Sequence, residues 1–208
     1  MTASLREIKV YTTFPHRCSY LEGEEATTLF VDPRQKLSQE LYTQLSLLGF
    51  RRSGDNVYRP HCARCSACIA SRVRVAEFEP SRTQKRISRR NADLRLEQSE
   101  SILDDEAYNL YRYYIESRHA DGDMYPPERE QYESFLNDGL GCANYYRLYQ
   151  ANRLVAVTVA DKMLDGLAAI YTFFDPDQPQ RSLGTEAILL QIRQAQSMGS
   201  VSYTHLRA

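Results

Sequence analysis

Leu154-Val-Ala-Val-Thr-Val-Ala-Asp-Lys-Met163 and Leu167-Ala-Ala-Ile-Tyr-Thr-Phe-Phe174 are apolar runs rich in β-branched and aromatic residues, separated by Asp165-Gly166. Runs of this composition around such a turn dipeptide read as the strands of a hairpin. Asn144 to Tyr149, followed by Ala151-Asn152, supplies a third strand upstream, so the region reads as a meander. The chain then crosses a polar loop, Asp175 to Ser182, into a helical stretch from Leu183 to Met198. Arg181-Ser-Leu-Gly184-Thr-Glu-Ala187 sits at that junction. A glycine there lets a ligand approach the backbone, free N–H groups at a helix start favour phosphate, and Arg181 adds a charged fork. The plainer alternative is a capped helix with a surface arginine.

Working outward, Ser38 to Leu48 reads as a helix, because Leu37, Leu41, Leu45 and Leu48 share one stripe and Gly49 follows as a stop. Glu7 to Phe30 mixes Thr, Tyr and Phe with turns and suits short strands. Ile69 to Phe78 alternates Val73 and Val75 with Arg72 and Arg74, as a strand does. Asp104 to His119 is a helix with acids at its positive end and Arg118 and His119 at its negative end. Another helix starts near Pro127 and stops at Gly139, and Val201 to Leu206 suits a last strand. From Ile69 the order is strand, helix, helix, three-strand meander, helix, strand. That order resembles the Gcn5-related N-acyltransferase fold, which uses a similar R-x-x-G-x-A loop for the pyrophosphate of acyl-CoA. The expected fold class is α+β. A mixed N-acyltransferase-like sheet with flanking helices spans 81–208, and a small cysteine-containing domain precedes it over 1–80.

The chain has 208 residues, 25% charged and 42% hydrophobic, which is ordinary globular usage. No run of about 18 apolar residues predicts a membrane span. Met1 to Lys9 is polar and lacks the apolar core of a secretion signal, so nothing marks it for secretion. The net charge of -1 hides a division. Arg51 to Arg95 holds 12 Lys and Arg against 4 Asp and Glu, whereas Glu97 to Asp138 holds 3 against 12. The tightest basic run places Arg82, Lys85, Arg86, Arg89 and Arg90 at three- and four-residue spacing, on one side of a helix. Like charges so stacked need a counter-charge. A phosphate backbone supplies one, and so does the acidic segment that follows; charge alone leaves both readings open.

The five cysteines are Cys18, Cys62, Cys65, Cys68 and Cys142. An odd count without a secretion signal argues for a reducing compartment. Cys62, Cys65 and Cys68 form a C-x2-C-x2-C run after His61, and Cys18 could complete four ligands for zinc or an iron–sulfur cluster. The alternative is small thiols packed under a loop. Cys142 reads as a packing residue.

Longer strings carry a family resemblance. They are His16-Arg-Cys18-Ser-Tyr20-Leu21, Thr28-Leu-Phe30-Val-Asp32-Pro33, Gly49-Phe50-Arg51-Arg52-Ser53-Gly54 through Tyr58-Arg59-Pro60-His61-Cys62, and Gln84-Lys85-Arg86 through Asn91. Arg118-His119-Ala-Asp121-Gly-Asp123-Met124, Tyr171-Thr-Phe-Phe-Asp175-Pro-Asp177 and Arg181-Ser-Leu-Gly184 complete the set. In this order, over about residues 8 to 200, they resemble the bacterial aminoacyl-tRNA–protein transferases, most of all the aspartate/glutamate leucyltransferase branch. The resemblance implies transfer of leucine from leucyl-tRNA to proteins with an N-terminal Asp or Glu, marking them for N-degron proteolysis in the cytoplasm; the ester is already activated, so no cofactor is expected to be required.

Within that expectation, Arg51, Arg52, Arg59 and Arg64 are candidates for the acceptor carboxylate, which an arginine grips with two parallel hydrogen bonds. Lys85, Arg86, Arg89, Arg90, Arg181 and Gly184 are candidates for tRNA phosphates. Asp175 is the first choice for general base, or a plain turn residue before Pro176, and His119, Asp121 and Asp123 stand behind it. Tyr171 and Tyr113 are expected in the substrate pocket. Relatives, as the resemblance implies, continue past the last helix with an aromatic strand and a further segment. Here Gly199 leads into Ser200 to Ala208 and Trp is absent, so the expectation is a shortened chain, a non-native tail after about Gly199 and an incomplete sheet. Alternatives to leucyl transfer are arginyl transfer, an acyl-CoA-dependent N-acetyltransferase, and a non-enzymatic zinc and RNA-binding module.

Overall fold

The computed structural model describes residues 5–207. In chain order it comprises β1 (Val10–Thr12), β2 (His16–Arg17), β3 (Glu25–Ala26), β4 (Thr28–Val31), α1 (Gln39–Leu47), β5 (Arg51–Ser53) and β6 (Asn56–Pro60). Then come β7 (Ile69–Arg74), α2 (Arg82–Arg90), β8 (Leu94–Ser99), α3 (Asp105–Arg118) and α4 (Arg129–Leu136). The meander β9 (Ala143–Gln150), β10 (Arg153–Lys162) and β11 (Gly166–Phe174) is followed by α5 (Leu183–Ser197) and β12 (Ser202–Arg207).

The N-terminal part holds a four-stranded sheet, β1-β4-β6-β5, and a small β2–β3 ladder. Ser38 caps α1 through the Leu41 N–H, and Leu41, Tyr42 and Leu45 pack on Val31, Phe50 and Val57. That core is continuous with Met163, Ala168 and Cys142 of the second part. Cys142 is therefore a packing residue, as expected, and burial pushes its thiol well above the ordinary range.

The second part is a six-stranded sheet in the order β7-β12-β11-β10-β9-β8. It is antiparallel except where β11 and β12 run parallel. β10 is buried from Leu154 to Asp161 because helices cover both faces. On one face α3 and α4 bring Tyr111, Tyr114, Ile115, Tyr132 and Leu136 against Tyr145, Val157 and Phe173. On the other α5 brings Leu183, Leu190, Ile192 and Ala195 against Tyr146, Leu148 and Val155.

The meander, α1, α3, α4 and α5 lie where periodicity puts them. Three features differ. β8 is a strand that sequence reading missed: Leu94 and Leu96 alternate with polar residues along an edge, too short a signal to separate from a loop. β7 pairs with β12, so it belongs to the six-stranded sheet although it precedes residue 81. The segment after Gly199, read both as a last strand and as a non-native tail that leaves the sheet incomplete, is a strand paired on both sides: Ser202 to Arg207 with β7, and Ser202 to Thr204 with β11.

Candidate active site

β11 and β12 are in register only from Gly166 to Ala168 and then part. Beyond that point a cavity of about 650 Å³ opens, walled by Ala169, Ile170, Tyr171, Thr172 and Phe174 of β11 and by Gly184, Thr185 and Ile188 of α5. Met124 and Phe135 add apolar surface, while Tyr20, Arg51, Arg52 and Tyr58 come from the N-terminal part. Tyr203 and His205 of β12 close one side. Tyr171 is in this cavity, edge-on to Phe135 at 5.2 Å, and burial pushes its hydroxyl well above the ordinary range. Tyr113 is not: it is exposed, and its hydroxyl donates to Asp177 at 2.9 Å.

Arg51 and Arg52 are adjacent on a strand and so face opposite ways. Arg51 is half-buried at the cavity wall, its guanidinium 5.0 Å from the centroid of Tyr58, which stacks on Phe30. Among the described residues it has no ion pair, and its Nε is buried without a partner. Burial raises the Tyr58 hydroxyl, with Arg51 opposing. Arg52 is a correction to the expected set. Its fully buried guanidinium holds Asp161 through Nε at 2.8 Å and Nη2 at 2.7 Å, and donates to the carbonyls of Asn137 and Gly54. Burial alone would pull its pKa down; the pair with Asp161 outweighs that and keeps it charged. Arg59 donates to the Leu48 carbonyl and lies over Phe50, beside the second cavity. Arg64 is exposed and lines neither cavity. Of the four, only Arg51 presents a free cation to the pocket.

Asp175 is also corrected. It is 1% exposed and outside the cavity lining. Its carboxylate accepts from the Asp177 N–H, the Gln178 amide and Arg153, at 3.1, 2.9 and 2.8 Å. These bonds fix the turn after β11, as in the turn-residue reading, and hold the carboxylate away from the cavity. His119 caps α3 and contacts the Tyr114 hydroxyl at 3.1 Å, and Asp121 and Asp123 are exposed on the following loop. None of the three lines the pocket, although Met124 just after them does.

The phosphate candidates divide. Arg82, Lys85, Arg86, Arg89 and Arg90 are exposed on α2, and none makes an ion pair among the described residues. Four acids of the acidic segment pair elsewhere: Asp104 and Glu106 with Arg147 of β9, Asp105 and Glu133 with Arg129. Among the described residues, no ion pair joins the acidic segment to the side chains of α2. Arg181 is again a correction. It is 13% exposed and grips both oxygens of Asp93 at 2.8 and 2.9 Å. Gly184 does stand at the cavity wall, so close to Phe174 that an added Cβ would meet its ring at 3.0 Å.

Cys18, Cys62, Cys65 and Cys68 surround a second cavity of about 520 Å³, with His61, Arg59 and Tyr20. All four are free and half-buried. Their donor chemistry suits a thiophilic metal, yet among the described residues no three His, Cys, Asp or Glu side chains converge on a metal-sized point. The spacing was legible in the sequence; convergence was not. The signals for Tyr20, Tyr58 and Met124 were their places inside the resemblance strings, and Asp93 stood out only as an acid in a basic stretch.

Residues 16–86 match the family model for the N terminus of arginine-tRNA-protein transferase, and residues 106–206 match the model for its C terminus. Proteins named aspartate/glutamate leucyltransferase are similar over most of their length. That of Pseudomonas aeruginosa (strain LESB58) is 52% identical over 195 residues, 94% of this chain and 83% of the relative. That of Stutzerimonas stutzeri (strain A1501) is 53% identical over 196 residues, with the same coverage. That of Pseudomonas syringae pv. tomato is 51% identical over 191 residues, 92% of this chain and 81% of the relative. Two matched halves and half-identity along nearly the whole chain leave one conclusion: it belongs to the arginine-tRNA–protein transferase family.

Proposed function

We propose that this chain transfers leucine from leucyl-tRNA to the N-terminal amine of proteins that begin with Asp or Glu. The observation that carries this reading is Arg51, an unpaired guanidinium on the wall of a largely apolar cavity. One cation suits an acidic acceptor side chain, and the apolar wall of Met124, Phe135, Ile170, Phe174 and Ile188 suits leucine. No Asp or Glu lines the cavity among the described residues, which disfavours arginine as the transferred group because its charge would be left unpaired. An acyl-CoA donor is disfavoured because Arg181, the expected pyrophosphate ligand, is held by Asp93. The mixed sheet, with β11 and β12 parting over the cavity, supports an N-acyltransferase-like core.

In the reaction the acceptor amine attacks the ester carbonyl, the peptide bond forms, and the ribose hydroxyl leaves with the proton that the amine gives up. The ester is already activated and the amine titrates near pH 8, so alignment of the two substrates supplies much of the rate. Arg51 orients the acceptor, the α2 face holds tRNA phosphates, and the walls exclude water from the ester. The product carries an N-terminal leucine, a signal for proteolysis, and a charged-tRNA donor suits work in the cytoplasm. No described helix is long and apolar enough to cross a membrane. Transfer requires no cofactor in this reading. The four thiols are proposed to close on zinc or an iron–sulfur cluster only when their loop tightens.

The test offers labelled Leu-tRNA and Arg-tRNA to peptides beginning with Asp, Glu or Lys. Leucine on the Asp and Glu peptides alone is expected. Arginine transfer, or RNA binding without transfer, would overturn the reading.

A further inference from the structure

Two polar clamps join α2 to the start of α5. In the first, Arg181 grips Asp93 and also reaches the Arg90 carbonyl and the Asn91 Oδ1, both at 3.3 Å. Asn91, 4% exposed, returns the contact by donating to the Arg181 carbonyl at 2.9 Å and the Ile87 carbonyl at 3.1 Å. In the second, Glu186 accepts from Ser88 of α2 at 2.9 Å and from Arg193 at 2.5 Å. Between them lie Ser182, in a left-handed conformation (φ 54°), and Gly184 at the cavity wall. Asp93 is held below its ordinary pKa by its hydrogen bond from Arg181, so the pair is charged at neutral pH.

We propose that Arg181 is a positioning residue. Its pair with Asp93 fixes the first turn of α5 in register with the basic face of α2, so that a tRNA held on α2 delivers its aminoacyl end to the cavity. The inference rests on aminoacyl-tRNA being the donor, as read above. It replaces the expectation that Arg181 touches phosphate. A bidentate arginine whose fork is already occupied would have to give up two charge-assisted bonds to reach one. The free cations of α2 have no such cost.

The experiment uses the full chain with Asp93→Asn, Arg181→Ala and the exchange of the two charges, Arg181→Asp with Asp93→Arg. Leu-tRNA affinity over a salt series and the single-turnover rate at saturating substrates are read separately. Both single variants should keep Kd within about twofold and an unchanged salt slope, while the rate falls at least tenfold. The exchange should recover at least half of the logarithmic loss, which a general packing defect would not. A tenfold rise in Kd with a shallower salt slope would make Arg181 a phosphate ligand, and an unchanged rate would remove it from positioning. Hydrogen exchange without substrate supplies an arm independent of activity. The hydrogen-bonded amides of Arg181, Ser182 and Glu186 should exchange faster in Asp93→Asn, the variant that least disturbs shape, and unchanged protection overturns the proposal. If the parent chain transfers no leucine, the functional reading fails, and the hydrogen-exchange arm still decides whether the Arg181–Asp93 clamp holds the start of α5.

Discussion

Arg51 carries its charge into a half-buried wall with only the face of Tyr58 beneath it. A guanidinium in that position gains from an incoming carboxylate what it lacks in the free protein. Arg51→Ala should raise KM for an Asp-starting peptide about tenfold or more, the ~1.5–3 kcal/mol of a charge-assisted hydrogen bond. Leu-tRNA affinity should not change. Equal loss with a peptide lacking an acidic first residue would show that Arg51 serves the fold instead. Asp175 makes the opposite case, a carboxylate with every neighbour already engaged. Asp175→Asn should leave the shape of the single-turnover pH profile intact and lower Tm by a few degrees, since one buried bond network is loosened. A rate that loses its pH dependence would restore it as the base.

α2 is held by one apolar contact, Ile87, by a capping box at Ser81 and Gln84, and by the clamps to α5. Its five cations take no part in that, so they repel one another and await a polyanion. Neutralising Lys85, Arg86, Arg89 and Arg90 should weaken Leu-tRNA binding and flatten the log–log salt dependence by about 0.7–0.9 per lost phosphate contact. Thermal stability should hold or rise. Filter binding across a salt series reads the first result and thermal melting the second; a steep slope that survives all four changes would place the RNA elsewhere. The cysteine loop is a second element-scale case. If its four thiols close on metal, protein purified without chelator should carry about one zinc, or iron with sulfide, per chain, and chelation should expose the thiols to alkylation. Metal-free protein with the same thiol reactivity would leave them as packing groups.

At the scale of the whole molecule, the buried pair Arg52–Asp161, joined by the Tyr42 hydroxyl at 2.8 Å, ties the N-terminal sheet to the middle of the second sheet. It also sets β5 so that Arg51 faces the cavity. Removing one partner leaves a buried charge: Arg52→Ala should cost about 3–5 kcal/mol, whereas Arg52→Met with Asp161→Leu should restore much of that. Denaturant midpoints measure both. A single variant with parental stability would mean that the pair is solvated and does not join the sheets.

How much was legible follows from the range of each signal. Helices and strands repeat every 3.6 or 2 residues, so the meander, α3, α5 and the cationic face of α2 could be read from neighbouring residues alone. β8 escaped because two alternating leucines at a sheet edge make too short a pattern. The clustering of three cysteines and the charge division behind the net -1 were likewise present in the sequence. The fate of each charge was not. Arg51 and Arg52 are adjacent, and Arg181 lies in a loop that fits a phosphate motif, yet Arg52 is engaged by Asp161 and Arg181 by Asp93. Those partners lie 109 and 88 positions away along the chain. A local pattern says which side of an element a group occupies; only the packed fold decides whether an opposite charge meets it there or leaves it free for a substrate.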